Sequence, residues 1–118
     1  MFFRKFGYAF RGIGKALREE KTLRIMLVCF VLVVAAGLLL NVSALEWTVL
    51  LLCCGAVLCA ELINTAIERA VDLASPEKHP LAGKAKDIAA GAVLVMSLFA
   101  VAVGLIVFIP HLIALISR

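Results

Sequence analysis

The sequence predicts an all-α membrane protein. One amphipathic helix at the membrane interface is followed by three transmembrane helices, in a single domain over residues 1–118. Three observations lead there: an apolar composition, three long blocks without charge, and a basic N-terminal segment carrying an aromatic stripe. Hydrophobic residues make up 64% of the chain and charged residues 17%. Ordinary soluble domains hold about 45–50% and about 25%. A chain of 118 residues has too much surface to hide that much apolar area from water. Disorder is excluded as well, since it needs low hydrophobicity and high net charge.

The interfacial helix is expected over residues 1–24. Seven of the twelve Lys/Arg lie there: Arg4, Lys5, Arg11, Lys15, Arg18, Lys21 and Arg24. Phe3, Phe6, Phe10, Ile13 and Leu17 recur at spacings of three and four. At ~100° per residue they fall within roughly 80° of one another, with Arg4, Lys5, Arg11, Lys15 and Arg18 on the other side. Such a helix lies in the headgroup layer; the other possibility is that its stripe packs on the protein's own helices. Gly12-Ile13-Gly14-Lys15 is not a phosphate loop, because it lacks the GxxxxGK[ST] spacing and a preceding strand.

The uncharged blocks are Ile25–Leu45, Trp47–Ala60 and Ile88–Ser117. The first has 21 residues, and at ~1.5 Å each it matches a ~30 Å hydrocarbon core. The second is short, yet it continues as helix into ELINTAIERAVDL. The expected spans are 25–44, 47–72 and 84–109, the last ending before Pro110. The N-terminal segment and the 73–86 loop are basic, and the 41–46 turn has no Lys or Arg. The Lys/Arg bias therefore puts the N-terminus and the 73–86 loop in the cytoplasm, and the turn and C-terminus outside. Trp47 beside the turn suits an interfacial anchor. The first apolar run is too long and too late for a cleavable signal peptide. The net charge of +4 points to anionic headgroups rather than nucleic acid, because its basic part adjoins a span. Cys29, Cys53, Cys54 and Cys59 lie in apolar spans without CxxC spacing and read as packing residues.

Acids stand where a span should exclude them. Glu61, Asn64, Glu68 and Asp72 share one helical face within roughly 80°. An unpaired carboxylate at the hydrocarbon edge costs at least ~2.5 kcal/mol, so such residues are usually functional. Two carboxylates joined by an amide suit a divalent cation with hard oxygen ligands; one of them can instead act as a base. The structural alternatives are a solvated helix end, which suits Arg69 and Asp72, and an interhelical hydrogen bond through Asn64. Glu19 and Glu20 precede the first span, and Lys84, Lys86 and Asp87 precede the third. All gather at one membrane face, and acids with a divalent ion and a lysine are what phosphoryl transfer needs.

The string ELINTAIERAVDL, followed by SPEKHPLAGKAKDIAAGAV and preceded by GYAFRGIGKALREEKTLR, resembles the prokaryotic diacylglycerol kinase/undecaprenol kinase family over essentially the whole chain. The resemblance implies a homotrimeric integral kinase of a bacterial inner membrane, transferring the γ-phosphate of MgATP to a lipid hydroxyl at the cytoplasmic face. It implies Glu61 as catalytic base, with Asn64 holding that site. Glu20 and Glu68 would be the magnesium ligands. Lys86 and Asp87 would contact the nucleotide, Glu77, Lys78 and His79 would cover it, and Tyr8 would be a nucleotide-contacting aromatic. Trp47 falls among the lipid-contacting positions. A basic nucleotide contact of some members falls at Met1, leaving Arg4 or Lys5 to substitute. Lys78 and Pro80 stand where other members often have an aromatic and an acid, which leaves ATP or GTP preference open. The short N-terminus and the VDLASPE and AKDIAAGAV phrasing resemble the members that favour undecaprenol over diacylglycerol. Two other classes compete: an ion-coupled transporter component, which would need polar residues along a whole span, and a plain assembly protein, which leaves the acidic face unexplained. Ala89, Ala90, Gly91 and Ala92 offer close approach to a neighbouring helix in an oligomer.

Overall fold

The computed structural model describes residues 2–118, so Met1, where some family members carry a basic nucleotide contact, lies outside the described residues. The chain forms four helices: α1 (Phe2–Glu19), α2 (Lys21–Leu40), α3 (Ala44–Ala74) and α4 (Pro80–Ile116). Three of them, α2, α3 and α4, are long and apolar enough to cross a membrane. The backbone explains why helix is the solution: hydrocarbon offers no water, so every N–H and C=O must be bonded within the segment.

The helix ends differ from the expected spans, each for a local reason. Residues 21–24 belong to α2 rather than to the interfacial helix, because Glu20 is extended (φ −110°, ψ 108°) and breaks the chain into an elbow. Arg24 reaches back across that elbow, its Nη1 donating to Leu17 O and Arg18 O at 2.8 Å each. It thereby satisfies carbonyls left over at the end of α1. The first span stops at Leu40 instead of 44, because Asn41 takes the left-handed conformation (φ 54°, ψ 52°), which asparagine tolerates and most residues avoid. The second begins at Ala44 instead of 47, where Ser43 and Glu46 form a reciprocal capping box. The Glu46 N–H donates to Ser43 Oγ at 3.1 Å, and the Ser43 N–H donates to Glu46 Oε1 at 2.9 Å.

The third span is longer than expected at both ends. Pro80 opens α4 at its first turn, and His79 caps it by accepting the Leu81 N–H on Nδ1 at 3.1 Å. Proline fits there because its missing N–H has no intrahelical partner in a first turn. Pro110 does not end α4, which runs on to Ile116. One lost hydrogen bond is tolerated where leaving the helix would expose many backbone groups to lipid.

α3 and α4 make the most extensive pairing, and α2 packs chiefly on α3. Ala16, Leu23, Ala89 and Val93 are buried toward the end that holds the elbow, and one apolar cluster joins Val42, Leu50 and Val107, with Val33, Leu40, Trp47, Val103 and Phe108 against it. It gathers at the end of the bundle that holds the 41–43 turn. Most large apolar side chains of the spans face outward, as in a protein whose solvent is lipid. The aromatic stripe of α1 does not pack on the chain's own helices: Phe3 is 85% exposed and Phe10 73%, and the one buried residue of α1 is Ala16.

Trp47 lies flat against α2 at Gly37. A Cβ on Gly37 would stand 2.5 Å from the indole Cη2 and 2.8 Å from Cζ2. Trp47 is therefore a packing residue here as well as an aromatic near a helix end. Alanine in place of a helical glycine usually gains about 1 kcal/mol, but overpacking costs about 1–3 kcal/mol. Gly37→Ala should lower the thermal midpoint in detergent, and the same change in a Trp47→Leu background should not.

Candidate functional site

The expected catalytic face forms on the second half of α3. Glu61 and Asn64 are buried, at 5% and 7% exposure, in a helix whose surface is otherwise largely open. Asn64 Nδ2 donates to Glu68 Oε1 at 2.9 Å, one turn further on. Glu61 lies within electrostatic reach of both Glu68 and Glu20 and against the Asn64 side chain. Of the four residues named for the reacting centre and the metal, Asn64 and Glu68 are in contact on α3, and Glu61 feels the charges of Glu68 and of Glu20 at the elbow between α1 and α2.

The elbow is held in place by a residue to which the sequence assigned only a solvated helix end. Arg69 Nη1 donates to Glu19 Oε2 at 2.9 Å, and Nη2 to Glu20 Oε1 at 2.8 Å. One guanidinium thereby ties the end of α1 and the start of α2 to α3. The three side chains are partly exposed, at 50% for Arg69, 53% for Glu19 and 27% for Glu20, so the tie adds little stability. Its consequence is orientation: the Glu20 carboxylate is directed toward the acidic face. The signal in the sequence was the i, i+1 pair Glu68-Arg69 opposite the acids Glu19-Glu20, but nothing in the spacing says that the elbow folds onto α3.

A second group assembles between the end of α3 and the start of α4. Glu77, Lys78 and His79 line a surface cleft of about 480 Å³, together with Asp72 and Lys86. Lys86 is ion-paired to Asp72 across the cleft, so Asp72 also has a partner. His79 is engaged in capping α4. Asp87 is exposed on the next position of α4 and does not line this cleft. Tyr8 is 61% exposed on α1, with the Arg11 guanidinium 5.1 Å above its ring. Trp47 is not at this face: fourteen residues of α3 separate it from Glu61, ~21 Å at 1.5 Å per residue.

At the other end of the bundle, His111 Nε2 lies 3.0 Å and 3.2 Å from the two Glu46 carboxylate oxygens. Sequence reasoning missed this pair, which joins the start of α3 to the last turns of α4. A single acid and a single histidine at the same ends of neighbouring spans were the available signal.

The donors of the acidic face are all oxygens. Among the described residues no group of three or more His, Cys, Asp or Glu side chains is arranged as a metal cage. Magnesium does not require one: it takes one or two carboxylates, with waters and phosphate oxygens filling the other positions. Glu20 and Glu68 supply carboxylates of that kind.

Residues 7–108 match the prokaryotic diacylglycerol kinase family. The undecaprenol kinase of Bacillus subtilis is 40% identical over 111 residues, covering 94% of this chain and 90% of that protein. A diacylglycerol kinase of Synechocystis is 40% identical over 111 residues, covering 93% of this chain and 63% of that protein. A diacylglycerol kinase of Helicobacter pylori is 37% identical over 97 residues, covering 82% and 76%. A chain that aligns over nearly its whole length with these kinases belongs to the prokaryotic diacylglycerol kinase family.

Proposed function

We propose that the chain is an integral membrane lipid kinase that transfers the γ-phosphate of MgATP to the hydroxyl of a membrane lipid, with undecaprenol as the acceptor. The observation that carries it is Glu61, buried where α3 leaves its apolar stretch and within electrostatic reach of Glu20 and Glu68. Undecaprenol is favoured because the Bacillus subtilis undecaprenol kinase aligns over 90% of its own length. Diacylglycerol is the second reading, carried by the diacylglycerol kinases that match over 82–93% of this chain.

A lipid alcohol is a weak nucleophile, presented at headgroup level. Glu61 takes the hydroxyl proton as the oxygen attacks phosphorus. Asn64 holds the Glu68 carboxylate by its amide, fixing the acidic face while charge redistributes. Glu20 and Glu68 would hold the nucleotide's magnesium, which would neutralise phosphate charge. Lys86 faces the cleft beside the 75–79 loop, where it meets phosphate oxygens after giving up Asp72. Glu77, Lys78 and His79 form the cover of that cleft, Asp87 stands next to it, and Tyr8 contacts the nucleotide from α1. Trp47, at the far end, touches the lipid's chain rather than its hydroxyl.

The basic α1 and 73–86 loop support placing this face in the cytoplasm of a bacterial inner membrane. We read the working unit as a homotrimer, in which neighbouring copies shield the outward-facing surfaces of α3 and α4. Ala89 is already buried within the chain, but nothing lies within 4 Å of a Cβ built on Gly91, which leaves room for a helix of another copy.

Purified protein should phosphorylate undecaprenol in an ATP-dependent assay, and diacylglycerol more slowly. Glu61→Gln should lower the rate by at least ~100-fold with helix content and oligomeric state retained; full activity in that variant would remove Glu61 as the base. Transfer should be direct, since no Cys or His stands on the acidic face to carry the phosphoryl group, and rapid quench during turnover should trap no phospho-protein. Crosslinking in mild detergent should give a trimer, and a monomer alone would count against that assembly.

A further inference from the structure

Thr65 shares the acidic face of α3, and the catalytic roles above leave it unused. At ~100° per residue it lies about 40° to one side of Glu61, as Asn64 lies about 60° to the other. Along the axis it stands ~6 Å beyond Glu61 and ~4.5 Å short of Glu68 at 1.5 Å per residue. Its surface is 5% exposed, and its Oγ1 has no hydrogen-bond partner.

That is an expensive arrangement with an easy remedy. A buried hydroxyl without a partner is destabilising, and a helical threonine can bond the carbonyl four residues back. Thr48 does so, donating to Ala44 O at 3.0 Å. Thr65 does not, and its neighbour Asn64 also leaves a buried oxygen, Oδ1, unpaired.

The two orphans differ in kind. Asn64 Oδ1 only accepts, and a threonine hydroxyl both donates and accepts. A phosphate oxygen only accepts, so it would satisfy Thr65 and leave Asn64 Oδ1 unpaired. An alcohol satisfies both, because it accepts on its oxygen and donates its hydrogen.

We propose that Thr65 Oγ1 and Asn64 Oδ1 seat the hydroxyl of the acceptor lipid beside Glu61, a role that rests on the lipid kinase reading. Thr65 donates to one lone pair of the alcohol oxygen and fixes the direction of the other. Asn64 Oδ1 receives the alcohol hydrogen on arrival, before it turns to Glu61. In the transfer that proton passes to the Glu61 carboxylate. The free lone pair forms the new O–P bond, the bond from phosphorus to the β–γ bridging oxygen breaks, and its electron pair leaves on the nucleoside diphosphate. Thr65 exchanges no proton. Glu61 is buried to the same 5%, so an alcohol that reaches its carboxyl enters the same closed patch as Thr65.

Thr65→Val keeps the shape and removes the hydroxyl, while Thr65→Ser keeps the hydroxyl. With purified full-length protein, lipid and ATP are varied in turn, and thermal unfolding is followed in the same detergent. Thr65→Val should raise the KM for the lipid alcohol about tenfold, as expected for one lost hydrogen bond. Its KM for ATP should stay unchanged and its thermal midpoint should hold or rise, because the deleted hydroxyl had no partner. Thr65→Ser should retain the wild-type lipid KM. An unchanged lipid KM in Thr65→Val overturns the proposal, as does an equal rise in both KM values or a fall in thermal midpoint shared with Thr65→Ser. A wild-type protein that phosphorylates no lipid alcohol overturns the kinase reading itself, and this seat with it.

Discussion

Everything in this molecule follows from one constraint: inside a bilayer a peptide group has no water to bond. The chain can therefore bend only where side chains or headgroups take over the freed backbone groups. The bends fall at Glu20, at residues 41–43 and at 75–79, and each carries such a substitute. Arg24 serves the end of α1, Ser43 and Glu46 the start of α3, and His79 the start of α4. The same constraint carries α4 straight through Pro110.

Helix length then decides where polar chemistry is possible. α3 has 31 residues, ~46 Å of helix against a ~30 Å hydrocarbon core. The surplus must emerge from the apolar layer, and its acids lie on that surplus. Glu61 marks the boundary, with Asn64, Glu68 and Asp72 beyond it. An acid at the boundary lies level with the headgroups, between hydrocarbon and water. That position suits a reaction between a membrane alcohol and a soluble nucleotide.

The two ends of the bundle divide the work. The end with the 41–43 turn holds the buried apolar cluster, the close Gly37–Trp47 contact and the Glu46–His111 pair. The opposite end is joined by partly exposed ionic ties: Arg69 to Glu19 and Glu20, and Lys86 to Asp72. The buried, unpaired oxygens of Asn64 and Thr65 belong to this second end.

The sequence by itself determined the helical class, the number of spans and the acidic face, because these depend on composition and on helical period. Uncharged blocks and residues three and four apart can be counted along a chain. It also pointed to Glu61, Asn64 and Glu68, since one helix carries all three. The helix ends were less legible: an extended Glu20, a left-handed Asn41 and a tolerated Pro110 are local compromises that periodicity does not encode. Only the tertiary structure decided which elements meet. It turned Arg69 from a solvated helix end into the clamp on Glu19 and Glu20, and it gave Trp47 a partner in Gly37. It paired His111 with Glu46 across 65 residues, and it left Thr65 buried with a free hydroxyl. Those facts depend on how the helices pack against one another, and helical period fixes only the face a residue occupies, not what that face will touch.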